Sequence, residues 1–205
     1  MFKYIPAEVY VHTAKFFEYR GVTNKHTYIT TDEFVKQLFQ KQFYVVEGER
    51  DDTKHLICIV APQSESSNKI AQFKKLYTLL ATTYGISKQP TTIVFLTPTP
   101  FTKFIDAAVA EERAKQPNLQ IEQYEYTMLS IVVPEHKDVP AHKILTAEER
   151  SSVLEFQRTQ ASYLPQISQR DPMAVWLGAK PGDVMRVDRE SEDAGRAIAY
   201  RFVTK

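Results

Sequence analysis

Apolar positions along the first 130 residues switch repeatedly between helical and strand spacing. From Glu8 to Tyr19, Val9, Val11, Phe16, Phe17 and Tyr19 recur at helical intervals, and Gly21 is placed to stop the helix. Thr30 stands three residues before Glu33, the spacing of a capping box. Phe34, Val35, Leu38 and Phe39 fall on one face of the helix it would start. Phe43–Val46 and His55–Val60 are short apolar runs that predict two strands. The charged stretch Glu47–Lys54 between them predicts an irregular hairpin loop. Helical spacing returns from Asn68 to Tyr84, carried by Ile70, Phe73, Leu76, Tyr77, Leu80 and Tyr84, with Gly85 at its end. Thr91–Leu96 reads as a buried strand. Thr97-Pro98-Thr99-Pro100 reads as a rigid turn, because each proline fixes φ and biases the residue before it away from helix. A helix with Phe101, Phe104, Ile105, Ala108 and Val109 on one face is expected next, then an alternating strand over Leu119–Tyr126 and an apolar run from Met128 to Val133.

At Pro134 the texture changes. Pro134, Pro140, Pro165, Pro172 and Pro181 break the rest into short elements. Thr146 and Glu149 form a second capping-box pair ahead of Ala147–Gln157. Asp171 is placed to cap a helix opened by Pro172, since proline is tolerated at the first helical position, and Gly178 is placed to end it. Gly182 allows a turn into Val184. Val184–Val187 and Ala197–Val203 predict a closing pair of strands, with Gly195 at the reversal. The expected fold class is α+β (mixed α/β): an N-terminal α/β domain over residues 1–133 and a small C-terminal α+β domain over 134–205.

Charge separates few possibilities within the chain but excludes some for the whole. Lys and Arg total 26 against 25 Asp and Glu, a net charge of +1, and residues 134–205 hold 11 of each sign. That balance excludes a histone-like binder that relies on bulk positive charge. The single cysteine, Cys58, excludes an intramolecular disulfide framework and a cysteine-based zinc site. No apolar run approaches the roughly 20 residues needed to span a bilayer, and Met1–Pro6 has no apolar signal core, so a soluble intracellular protein is expected.

Catalytic signatures are sparse. The six glycines form no phosphate-binding loop. Cys58 sits inside an apolar strand run, which predicts a packed thiol rather than a nucleophile. His136 and His142 are six residues apart with Pro140 between them, a poor spacing for a shared metal. Glu49, Asp52 and Lys54 resemble the carboxylate-and-lysine set of Mg²⁺-dependent nucleases, but they fall in the most polar turn of the chain. Lys69, Lys74, Lys75 and Lys103 read either as a solvated face or as contacts to a nucleic-acid backbone. No cofactor is expected.

The last third carries the most specific pattern. It reads Val139-Pro140-x-His142-x-x-Leu145-x-x-Glu148-Glu149, then Leu164-Pro165-x-Ile167, then Asp171-Pro172-x-Ala174-x-Trp176-x-Gly178-x-x-x-Gly182-x-Val184. It closes on Ser191-Glu192-x-Ala194-Gly195-Arg196 and Tyr200-Arg201. Over about residues 136–203 this resembles the fifth subunit of eukaryotic nuclear RNA polymerases, common to polymerases I, II and III, and equally its short archaeal counterpart. The first part matches that family less well. Thr99-Pro100 keeps half of the family's Thr-Pro-Ser-Ala turn, with Phe101-Thr102 in place of Ser-Ala, and Met173-Ala174-Val175-Trp176 stands where the family has Val-Ala-Arg-Tyr. A diverged first part beside a retained tail suggests a copy encoded by a large DNA virus.

The resemblance implies a non-catalytic polymerase subunit with no membrane partner. Its tail would anchor on the largest subunit through His142, Leu164, Pro165, Ile167, Asp171, Pro172, Trp176, Gly178, Gly182, Arg196, Tyr200 and Arg201. Its first domain would form part of a lower jaw, with Thr99, Pro100 and Lys103 near downstream DNA and sequence-independent contacts. A viral copy would work in host cytoplasm and be packaged in virions; a cellular one would work in the nucleus. Trp176, Leu164 and Ile167 fit the core of a small domain as well as they fit an interface. Two other readings stand beside this one: a metal-dependent nuclease using Glu49, Asp52 and Lys54, and a free-standing adaptor that docks on a polymerase.

Overall fold

Why the first 130 residues make a layered α/β unit follows from β4. In the computed structural model, which describes residues 5–62, 69–86, 89–191 and 195–205, all seven residues of Thr91–Thr97 are buried. A strand buried on both faces needs cover on both. Ile93 and Phe95 join Leu56, Cys58, Phe73, Leu80, Ile105 and Val109 in one core. Val94 and Leu96 therefore point to the opposite face, which is equally buried.

The chain divides into two compact units, Met1–Ile131 and Val132–Lys205. In the first, the sheet order is β1-β2-β3-β4-β5, formed by Thr23–Asn24, Phe43–Arg50, Thr53–Val60, Thr91–Thr97 and Leu119–Glu125. β1, β2 and β3 pair antiparallel, and β3, β4 and β5 pair parallel. The parallel strands need crossovers, supplied by α3 (Lys69–Tyr84) and α4 (Lys103–Lys115). α1 (Ile5–Tyr19) ends in a Schellman turn: Gly21 takes φ +64°, and the Val22 N–H reaches the Phe17 carbonyl at 2.9 Å. α2 (Thr31–Lys41) starts where the Thr30 hydroxyl accepts from the Glu33 N–H.

Three expectations change here. The charged loop is mostly strand: β2 runs through Arg50 and β3 begins at Thr53, because Asp51 and Asp52 both take positive φ (49° and 59°) and close a two-residue turn whose twist suits a hairpin. Phe39 does not share the buried face of Phe34 and Leu38; it is exposed. Phe101 lies before α4 and turns back against the Phe73 and Phe95 rings, while Phe104 is 73% exposed.

In the second unit the sheet order is β6-β8-β9-β7, formed by Ala141–Ile144, Val184–Ser191, Gly195–Thr204 and Gln166–Ser168. Two helices accompany it, α5 (Ala147–Phe156) and α6 (Pro172–Leu177). Ile167, Met173, Ala174, Met185 and Val203 form its core. Strands β6 and β7 are too short to show alternation and exist because β8 and β9 template them. Both sides of the Thr146–Glu149 capping box are made. Thr146→Ala is expected to cost about 1 kcal/mol, read as a lowered denaturation midpoint.

Asn68, where the spacing predicts the start of the third helix, lies outside the described residues, as do Glu192 and Ala194 of the tail motif and the side chains of Lys69, Ile70 and Arg196. Among the described residues no helix is long and apolar enough to cross a membrane.

Candidate functional site

The residues that carry chemistry are engaged in structure. Lys54 Nζ donates to the Tyr84 carbonyl at 3.0 Å, Glu49 pairs with Lys25 at 3.4 Å, and Asp52 sits exposed at the hairpin tip. Glu49 and Lys54 stand opposite each other across the β2–β3 hairpin, but each side chain is engaged with a different partner. His142 donates through Nδ1 to the Pro140 carbonyl at 2.7 Å, and His136 accepts from the Asp138 N–H. Among the described residues no three His, Cys, Asp or Glu side chains stand where they could share a metal ion. Burial pushes the Cys58 thiol up, so it stays protonated and unreactive at neutral pH.

The strongest electrostatic feature is architectural. Arg20, at the end of α1, pairs with Glu122 on β5 at 2.7 Å and lies over the Phe16 ring, 4.2 Å from its centroid. Burial pulls the Arg20 pKa down, but Glu122 and Tyr124 more than offset it, leaving the guanidinium above its usual value. The Tyr124 hydroxyl donates to the same carboxylate at 3.0 Å; its phenol is pushed up to about 12, chiefly by burial and then by Glu122. This network ties the first helix to the edge strand of the sheet.

The predicted DNA-proximal residues are accessible. Thr99 and Pro100 are exposed in the turn after β4, held by the Thr97 hydroxyl donating to the Thr99 carbonyl at 2.7 Å. Lys103 is the exposed first residue of α4, and Phe104 beside it projects into solvent.

The predicted interface residues of the second unit separate into three groups. Trp176 is fully buried, and Leu164 and Ile167 are 7% and 9% exposed. They pack in the unit's interior and offer almost no surface in the free chain. Asp171, Pro172, Gly178 and Gly182 shape the backbone: the Asp171 carboxylate accepts from the Met173 N–H at 2.9 Å, Pro172 opens α6, and Gly178 and Gly182 take φ of +70° and +100°. Pro165 is exposed; His142, Tyr200 and Arg201 are half-buried and face outward at least in part. Sequence reasoning missed three apolar side chains on this unit's surface, Phe156 (89% exposed), Tyr163 (77%) and Ile198 (48%). The available signal was α5, whose apolar positions form no continuous stripe; none of its residues is buried.

Comparison with known proteins gives these surfaces a context. Residues 131–203 match the family model described as RNA polymerase Rpb5, C-terminal domain. The chain is 30% identical over 200 residues, 97% of each chain, to a DNA-directed RNA polymerase RPB5 homolog of African swine fever virus (isolate Tick/Malawi/Lil 20-1/1983). It is 39% identical over 87 residues to the RPABC1 subunit of RNA polymerases I, II and III of Caenorhabditis elegans, 42% of this chain and 41% of that one. It is 49% identical over 70 residues to the RNA polymerase subunit Rpo5 of Thermococcus celer, 34% of this chain but 85% of that protein.

Proposed function

We propose, from the premise that this chain belongs to the Rpb5 family of DNA-directed RNA polymerase subunits, that its two units divide the work of such a subunit. It is a structural component of a polymerase. The second unit anchors it, on the largest subunit, and the first forms part of a jaw beside downstream DNA. Catalysis stays with the enzyme's other chains. The polymerase would be of viral type, working inside an infected cell.

One observation supports this division above the others. The archaeal relative is itself a polymerase subunit, and 85% of its length is matched by only 70 residues of this chain, the size of the second unit and of the family-model match. A docking surface sufficient for assembly is therefore expected within Val132–Lys205. A tagged chain is expected to carry polymerase subunits through a high-salt wash at a fixed ratio. Recovery at a variable, salt-labile ratio would indicate an adaptor instead.

The jaw reading has its own test. Lys103 stands exposed beside Thr99 and Pro100, and a phosphate contact there would release about one counterion. Lys103→Ala in the assembled enzyme is expected to reduce the salt slope of non-specific DNA retention by about one unit or less. An unchanged slope rejects that residue as a contact.

A further inference from the structure

We propose that the outer edge of β9 at Ile198 and Tyr200 is a strand-addition site, which takes an extended segment of another polymerase subunit. The inference rests on the reading of this chain as a polymerase subunit and names the backbone chemistry by which it docks.

Hydrogen-bond direction along β9 carries the argument. The Val203 N–H points to the β8 side, donating to the Asp183 carbonyl at 2.9 Å. The Phe202 N–H points the other way, to the Pro165 carbonyl at 2.9 Å. Direction alternates along a strand. The register with β8 runs unbroken from Val184↔Phe202 to Ser191↔Gly195, so Ala197, Ala199 and Arg201 face β8 while Ile198 and Tyr200 face outward. On that outer side β7 pairs only with Phe202, Val203 and Thr204. Among the described residues, nothing takes up the outward N–H and C=O groups of Ile198 and Tyr200.

A row of unpaired backbone groups on a long strand is a template for another strand, and folded chains usually blunt or cover it. The other two ends of this sheet region are blunted. β7 is three residues long, and β6 is four residues long and carries Lys143. β9 has ten residues, and its uncovered stretch carries Ile198, 48% exposed, and half-buried Tyr200 on the same face. Beside Tyr200 lies a hollow of about 360 Å³ lined also by Arg186, Leu145, Val153, Ser152, Glu148 and Glu149. Directional backbone pairing, with Ile198 and Tyr200 on one face, selects an extended segment with at least one apolar side chain, docked by strand addition. A segment of a neighbouring subunit is the occupant because the relatives of this chain are subunits of a multi-chain polymerase, and Trp176, Leu164 and Ile167 are buried in the unit's own core.

Hydrogen exchange of the full chain, alone and within salt-washed polymerase, tests this. The Ile198 and Tyr200 amides are expected to slow at least roughly tenfold on assembly. Ile198→Pro removes only an outward N–H, the one position type where a strand tolerates proline. It is expected to fold with an unchanged denaturation midpoint yet lose about tenfold or more in retention, while Ile198→Thr, which keeps the N–H, is retained. If the chain is present at a fixed ratio but both amides exchange as in the free protein, strand addition is overturned and the subunit assignment stands. If the chain does not stay with the polymerase, both fall. Protection that grows with concentration in the isolated chain identifies a second copy as the occupant and also overturns the proposal. Should Ile198→Pro fail to fold, the exchange measurement on the unmodified chain decides alone.

Discussion

Trp176→Ala is expected to destabilise the second unit by about 3–5 kcal/mol. The whole stability of a unit this size is roughly 4–11 kcal/mol, so the variant is expected to lose a large part of it and to be retained less well by the polymerase for that reason. The cause is burial: the indole is 0% exposed and belongs to a six-residue helix fixed at both ends by Asp171 and Gly178. A surface anchor behaves differently, because truncating it removes binding and leaves the fold intact. Denaturant unfolding of the free chain separates the two. A midpoint unchanged from the parent, together with lost assembly, would return Trp176 to the interface.

In the first unit, Glu122→Ala is expected to cost about 2–4 kcal/mol. Removing one partner of a buried ion pair strands the other charge, which typically costs about 3–5 kcal/mol. The lower figure applies because a quarter of the Glu122 side chain meets solvent, whereas Arg20 is only 7% exposed. Arg20→Met is expected to be milder, since it removes the buried charge and keeps apolar bulk over Phe16. Denaturation midpoints of the two variants check this, and a milder Glu122→Ala would show that water reaches the guanidinium.

The contrast between these residues also shows what the sequence can disclose. Caps were readable, because a cap depends on a few adjacent residues: Thr146 with Glu149, and Asp171 with Pro172 and Gly178, act as their spacing predicts. The long helices and the buried strand Thr91–Thr97 were readable from periodicity. Trp176 was not, since a six-residue helix is too short for periodicity to assign a face. Strands β6 and β7 were not, because their pairing depends on partners more than 35 residues away. The strand through Glu47–Arg50 was hidden by its charge; only the positive φ of Asp51 and Asp52 lets the hairpin run to its tip.

The same division applies to the functional surfaces. The tail pattern pointed to the right family, yet many of its spaced residues set the backbone shape of the second unit or lie in its core. The surface proposed for strand addition, the outer edge of β9 with Ile198 and Tyr200, follows from β7 being three residues long. That is a property of the assembled sheet, and no local motif records it. Around the Thr99-Pro100 turn the reverse holds. The turn itself was legible, but the exposure of Phe104 was not, because helical spacing placed it on the same face as Ile105.

The most direct measurement of the central claim is the amount of polymerase recovered, after a high-salt wash, on three tagged forms: the full chain, residues 1–131, and residues 132–205. The full chain and 132–205 are expected to recover the enzyme at the same fixed ratio, and 1–131 to recover none. Recovery on 1–131, or its absence on 132–205 shown to be folded, would contradict the assignment of the anchor to the second unit.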